Sequence, residues 1–356
     1  MKSIILCITN DFNYDRRIKR STDALRKQFN VRVFDRLIHS RSSSDTIRCW
    51  FSRGFLFYAE FNLRLLLKLL FNKVDIIGSI DYDTLPACTL AAKIKSCKLV
   101  FDAHELYEES MEIQSRKAIA KFWFGIGQIC VPKVNRAYTV SHSLADYYMH
   151  LHRLPFQVIR NLPYSSQSVK TVGKADKKII IYQGVLNKGR MLELLVKVTN
   201  YLPQNFQVWI LGEGDCGIDL RKMAGERVVF KSWVTPENLM MHTAQSFLGY
   251  NLLDDSSQSY EFSLANKFFD YMHAGIPSLN SPFPEYERYN ERYNCCYTKH
   301  VDGAEQLASW ILEIDKEQTV YEEKCKNAQL AALDLNWQKE QNKLIRIYDF
   351  DRHTHI

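Results

Sequence analysis

Lys267 and Asp270 stand one helical turn apart in the stretch Tyr260–Pro284, YEFSLANKFFDYMHAGIPSLNSPFP. Leu264, Phe268, Tyr271 and Met272 recur at three- and four-residue spacing, which predicts a short helix with one apolar face. Ser263 is its expected cap, Gly275 its stop, and Pro277 a bar to its restart. Ser246–Leu253 and Ile276–Leu279 on either side read as buried strands. A helix that follows a strand starts at the carboxyl end of the sheet, where open α/β sheets bind ligands. Lys267 and Asp270 then offer a cation and a carboxylate to a crevice, or are solvated charges on a core helix.

Two other groups could do chemistry. In GVLNKGR, Gly184 ends an apolar run and Arg190 precedes a helix expected over Met191–Leu202. A glycine turn with a cation before a helix suits a phosphate. The spacing is neither that of a P-loop nor that of a dinucleotide fingerprint. In FDAHELYEE, Asp102, His104, Glu105 and Glu108 lie at or past a strand end. Capping, hydrogen bonding to a ligand, and a metal site all fit them, although one histidine among carboxylates is a weak metal signature. The early loop NDFNYDRRIKR puts Asp15, Arg16, Arg17, Lys19 and Arg20 at a helix start, where cations oppose the helix dipole. They form either a solvated face or an anion-facing loop.

The elements that must position these residues alternate strand, loop and helix. Strands are expected at Ser3–Thr9, Val31–Arg36, Val74–Ser79, Lys98–Asp102, Ala137–Val140 and Phe156–Ile159, and again from Lys178. Asp81 and Asp83 fall in a loop before a helix over Thr84–Lys95. The pattern implies mostly parallel sheets with helices on both faces. The 356 residues suit two domains, 1–164 and 178–335, joined by the polar linker 165–177, with a last helix in 336–356.

No run of eighteen apolar residues appears, and the polar turn after MKSIILCITN argues against a signal peptide. Nine scattered cysteines without a CxxC pair suggest free thiols in a reducing compartment. Residues 1–170 hold 26 Lys and Arg against 15 Asp and Glu, a net +11, and the remainder is −4. That bias points to an anionic partner on the amino-terminal half. No finger, KH or helix-turn-helix signature supports nucleic acid, so a phosphate-bearing acceptor or an anionic membrane is expected. The apolar stretch Phe55–Phe71, with Arg64 and Lys68 on one side, reads as a sheet-covering helix or as one lying on a bilayer.

Asn266–Pro277 resembles the segment N-K-x-F-(E/D)-Y-M-x-A-G-x-P of glycosyltransferase family 4. Asp102–Glu105 is similar to that family's D-x-H-E, VSHSLADYY to its V-S-x-x-L-A, and Asn161–Pro163 to its N-x-P. The resemblance implies the GT-B fold: two Rossmann-like domains facing each other, with parallel sheets and a C-terminal helix crossing back to the first domain. It implies a retaining transfer of sugar from a nucleoside diphosphate sugar to an acceptor hydroxyl, with no permanently bound cofactor and no metal requirement. In that reading His104 faces the donor sugar, and Arg190 and Lys267 stabilise the leaving diphosphate. Asp270 bonds the ribose hydroxyls. Gly184 and Gly212 make close turns at the nucleotide, and Val234, after Trp233, lies near the base.

Two departures stand out. Val185 occupies the family's usual arginine position in G-R-L-x-x-x-K-G, and Arg190 its lysine position. In the family's E-x7-E motif the first position is Phe262. Glu261 is a shifted substitute, with backbone groups of Ser263, Leu264 and Asn266 as further donor contacts. The implied setting is cytoplasmic, on the inner face of the cell membrane, with a glycan or lipid-linked acceptor in surface polysaccharide or glycolipid assembly. The rival readings are a non-catalytic partner or membrane-surface protein of the same fold, and a sugar-nucleotide epimerase.

Overall fold

The computed structural model describes residues 1–37, 45–106, 117–165, 176–232 and 234–351. Glu108, Trp233 and most of the expected linker lie outside the described residues. The chain forms two compact units, Met1–Asn161 with Lys339–Ile356, and Leu162–Gln338.

The first unit runs β1 (Ser3–Cys7), α1 (Arg16–Leu25), β2 (Asn30–Arg36), β3 (Thr46–Ile47), α2 (Gly54–Leu70), β4 (Ile76–Ile80), α3 (Asp81–Lys95), β5 (Lys98–Ala103), α4 (Lys117–Cys130), β6 (Arg136–Thr139), α5 (His142–His152) and β7 (Phe156–Val158). Among the described residues its sheet is parallel and seven-stranded, in the order β3-β2-β1-β4-β5-β6-β7. β4 is buried at every position, as a central parallel strand covered on both faces must be. The order reverses between β1 and β4, and the crevice at such a reversal is where this architecture holds ligands.

Local chemistry explains the elements that flank that crevice. Asp15 caps α1, accepting from the Ile18 amide at 3.0 Å. α3 begins at Asp81, three residues earlier than the sequence suggests, so Asp81 and Asp83 occupy its first turn rather than a loop. Carboxylates are favoured there by the helix dipole. α2 buries Phe57, Phe61, Leu65 and Leu69 at four-residue spacing and turns Phe55, Leu56, Leu63 and Leu67 outward.

The second unit runs β8 (Lys178–Gln183), α6 (Leu192–Lys197), β9 (Phe206–Leu211), α7 (Gly217–Met223), β10 (Val228–Lys231), α8 (Pro236–Ala244), β11 (Leu248–Asn251), α9 (Gln258–Glu261), α10 (Asn266–His273), β12 (Ser278–Asn280), α11 (Pro284–Tyr293), β13 (Tyr297–Thr298), α12 (Ala304–Lys316) and α13 (Gln318–Asp334). Its strands are parallel in the order β10-β9-β8-β11-β12-β13, with the reversal between β8 and β11. β8 alternates as a doubly covered strand should. Ile180 and Tyr182 pack with Leu195, Phe206 and Val208, while Ile179 and Ile181 pack with Tyr271 and Ile276.

α10 is the expected helix, but Ser263 is not its cap. Residues 258–261 wind a separate short helix capped by Ser257, and the Ser263 hydroxyl closes that helix by donating to the Tyr260 carbonyl at 2.8 Å. Ala265 takes the N-cap position of α10 without a side-chain bond. The last helix, α14 (Trp337–Tyr348), belongs from Lys339 onward to the first unit. Arg136 Nη1 donates to the carbonyls of Arg346, Ile347 and Asp349 at 2.8–3.0 Å, satisfying the acceptors left open at the helix end. Buried Glu340 accepts from the Arg160 guanidinium at 3.2 Å and from its amide at 3.0 Å.

Candidate active site

In the first unit, a cavity of about 280 Å³ opens at the carboxyl ends of β1 and β4, lined by Thr9, Asn10, Tyr58, Asp81, Asp83 and His104 among others. His104 follows β5. Its Nε2 lies 2.9 Å from Asp102 Oδ2, its Nδ1 3.4 Å from Asp81 Oδ2, and its amide donates to Asp81 Oδ1 at 3.0 Å. Burial and the Arg17 charge would lower the imidazole pKa, but the two carboxylates outweigh them and raise it. Both ring nitrogens are therefore committed, and the ring is biased to the cationic form. Arg17 pairs with buried Asp102 at 2.7 Å. Burial would raise the Asp102 carboxyl, but Arg17 and His104 hold it below its ordinary pKa.

Asp83 behaves oppositely. Burial, then the neighbouring Asp81, push its pKa up to about 7 against the hydrogen bond donated by Thr9. The basic loop of α1 is largely engaged within the unit: besides Arg17, Lys19 donates to the Asn13 carbonyl at 2.6 Å at the surface and Arg20 to Asn161.

In the second unit, two strand-end turns meet closely. Gly184, after β8, has φ +132°, and Gly212, after β9, has φ +140°. A Cβ on Gly212 would lie 2.0 Å from the Gly184 carbonyl oxygen, so the approach requires glycine. Beside this turn stands Lys267, 6% exposed, its Nζ 4.2 Å from the Tyr182 ring centroid. Burial, then the charge of Arg190, hold the amine well below the ordinary lysine pKa. The Arg190 charge also acts on Tyr182, opposing the burial that raises the phenol to about 12. Among the described residues, Lys267 Nζ and Arg190 Nε are buried without a hydrogen-bond partner. A guanidinium and a buried amine that burial biases toward its neutral form, next to a glycine turn at the sheet's reversal point, make an arrangement that suits an anion.

The remaining sequence-derived residues fall around this arrangement or behind it. Asp270, half-buried, accepts from Gln183 Nε2 at 2.8 Å. Asn266 is exposed at the first position of α10, and Glu261 ends α9. The Leu264 side chain is in the core with Leu253 and Phe268. Val234 packs against the cluster of Ile179 and Ile181. Tyr260 covers the loop after β8. Its hydroxyl donates to the Lys188 carbonyl at 3.0 Å, and a Cβ on Gly189 would meet its ring at 2.3 Å. Sequence reasoning missed Gln183 and Tyr260. The one available signal was a polar residue closing the apolar run KIIIYQ. Among the described residues, no group of three His, Cys, Asp or Glu side chains is arranged to hold a metal ion.

The chain matches no protein-family model and no curated protein. Solved structures are similar over nearly its whole length. Anabaena Alr3699/HepE, in complex with UDP and glucose, is 12% identical with a TM-score of 0.77, covering 98% of this chain and 99% of that one. Sucrose-phosphate synthase from Thermosynechococcus elongatus is 14% identical with a TM-score of 0.77, covering 98% of each chain. WaaG, a glycosyltransferase involved in lipopolysaccharide biosynthesis, is 12% identical with a TM-score of 0.75, covering 98% and 100%. The chain thus has the fold of these proteins, two Rossmann-like domains with parallel sheets, known as GT-B.

Proposed function

We propose that this chain is a glycosyltransferase that moves a sugar from a nucleoside diphosphate sugar to an acceptor hydroxyl. The observation that carries the reading is the pair of Lys267, buried beside the Gly184–Gly212 turn, and half-buried Arg190, with Nζ and Nε unpartnered among the described residues. Burying cationic groups without counter-charge is costly, and the arrival of a diphosphate offsets that cost. HepE is seen with UDP and with UDP-glucose, which makes UDP-glucose the first donor to test.

The chemistry follows from the same pair. As the bond from the anomeric carbon to the phosphate oxygen breaks, negative charge grows on the diphosphate. Arg190 and Lys267 stabilise it more in the transition state than in the ground state. The acceptor oxygen bonds the anomeric carbon from the face the phosphate leaves. Its proton passes to a phosphate oxygen, so configuration is retained. Asp270 holds the ribose hydroxyls, and Gly212 lets the backbone approach the nucleotide. In the first unit the cavity of Thr9, Asp81 and Asp83 receives acceptor hydroxyls, with His104, whose two ring nitrogens face Asp102 and Asp81, orienting those carboxylates rather than acting as a nucleophile. The outward stripe of α2, Phe55, Leu56, Leu63 and Leu67, supports docking on a bilayer that carries a lipid-linked acceptor.

Thermal shift against UDP, GDP, ADP and their glucose conjugates tests the donor half. One nucleotide should stabilise the fold by mass action. Radiolabelled sugar should then appear in acceptor, or in water as hydrolysis product, with that donor. A fold that none of these ligands stabilises would overturn the reading.

A further inference from the structure

Gln183 is the last residue of β8, one before the Gly184 turn, and its side chain is 3% exposed. Its Nε2 donates to Asp270 Oδ2 at 2.8 Å, and its Oε1 accepts from Thr243 Oγ1 at 2.8 Å. Thr243 is fully buried near the end of α8, and its hydroxyl also lies 2.7 Å from the Leu239 carbonyl. Only one orientation of the amide satisfies both neighbours. An ionised carboxylate accepts and cannot donate, so the amide nitrogen must face Asp270 and the carbonyl must face Thr243.

The backbone around this tie is fixed as well. Tyr271, next to Asp270, is fully buried and its hydroxyl lies 3.1 Å from the carbonyls of Ile181 and Tyr250. Its ring fills the space a Cβ on Gly249 would take, 2.4 Å away. α10 is thereby set in register on β8 and β11, and the Gln183 bond then fixes the Asp270 side chain, which has two rotatable torsions of its own.

We propose that Gln183, oriented by Thr243, is a positioning residue that holds the Asp270 carboxylate in the geometry that recognises the ribose hydroxyls of a nucleoside diphosphate. The inference rests on the reading of Asp270 as the ribose-binding group. Its consequence is discrimination between sugars of the nucleoside: loss of Gln183 blunts selection for ribose without weakening the grip on the diphosphate, which belongs to Arg190 and Lys267.

The test is titration calorimetry with UDP, 2′-deoxy-UDP and 3′-deoxy-UDP on the full chain, with melting curves to confirm each variant's fold. The wild type should prefer UDP to at least one deoxy analogue by about tenfold or more, the worth of a charge-assisted hydrogen bond. Asp270→Asn should lose that preference. Gln183→Glu, which cannot donate to Asp270 at a pH where both carboxylates are ionised, and Thr243→Val, which leaves the amide carbonyl without its hydroxyl, should cut it to about threefold or less while affinity for the deoxy analogues stays within about twofold. A merely structural role would weaken all three ligands alike. If Asp270→Asn loses the preference while Thr243→Val and a folded Gln183→Glu keep it, the positioning role is overturned and the ribose reading stands. If Gln183→Glu does not fold, Thr243→Val alone decides. A wild type without preference, or an Asp270→Asn that retains it, overturns the ribose reading and the inference together.

Discussion

A lysine amine at 6% exposure with no hydrogen-bond partner is a costly choice for a fold, a cost that a bound diphosphate would remove. Arg190→Ala and Lys267→Ala should each lower kcat/KM by about 100-fold or more, with smaller losses in nucleotide affinity. The double variant should lose less than the product of the two, because both act on one diphosphate. Steady-state kinetics on folded variants checks this, and near wild-type kcat/KM in either single variant removes that residue from the site. Asp83 makes a second prediction, in stability. Its pKa rises from 3.8 to about 7 on folding, so across that interval the folded state binds more protons and stability falls as pH rises. Asp83→Asn keeps an acceptor for Thr9 and cannot ionise. Its melting temperature relative to wild type should therefore climb between pH 5 and pH 8. A difference that does not change with pH would mean that Asp83 ionises freely. Both cations were legible in the sequence, because a lysine early in an apolar-faced helix and an arginine after a glycine turn carry spacing information. Gln183 was not, since a glutamine at a strand end has no distinguishing pattern. Nor was the engagement of both His104 nitrogens, which depends on Asp81 arriving from a different strand.

Among the elements, the strand-helix alternation was readable because buried parallel strands are apolar throughout and their helices keep a 3.6-residue period. Boundaries were less so. Ser263 looks like a cap by type, yet the short helix at 258–261 consumes its hydroxyl, and nothing in QSYE announces that helix. Asp81 and Asp83 look like loop residues by composition, yet the chain leaves β4 through Asp81 at φ +58° directly into α3. The paired turns after β8 and β9 are set by backbone approach, which the sequence shows only as Gly184 and the glycines of GEGD. That approach makes Gly212 decisive. An alanine there would place a methyl 2.0 Å from the Gly184 carbonyl oxygen, in a backbone conformation that disfavours side chains. Gly212→Ala should push the two turns apart, lower the melting temperature, and weaken nucleotide binding by about tenfold or more, as strained substitutions of this kind cost about 1–3 kcal/mol. Calorimetry showing wild-type affinity in a folded Gly212→Ala would separate the turn from the ligand.

For the whole molecule, the net +11 of residues 1–170 suits an anionic partner without locating one. The structure redistributes that charge. Arg17 is spent on Asp102, Arg64 on Glu60 and the Trp50 ring, and Lys68 donates to the Thr46 carbonyl. Exposed cations near α2 in sequence are instead Arg48, Arg53 and Lys73, with Lys117 and Lys121 on α4. α4 extends the stripe itself, since Phe122 packs edge-on against Phe55 at 5.8 Å between ring centroids while both remain about half exposed or more. No helix among the described residues is long and apolar enough to cross a membrane. Each exposed cation near an anionic surface contributes about 1 kcal/mol, and burial of the leucines and phenylalanines adds an apolar term that salt does not screen. The protein should therefore co-sediment with anionic liposomes more than with neutral ones. High salt should remove most of that difference. Leu63→Ser with Leu67→Ser, at positions 60% and 48% exposed, should release the protein from both kinds of vesicle without lowering its melting temperature. Equal recovery on neutral and anionic vesicles would dispose of the electrostatic part, and unchanged binding by the double serine variant would dispose of the α2 stripe as the docking face.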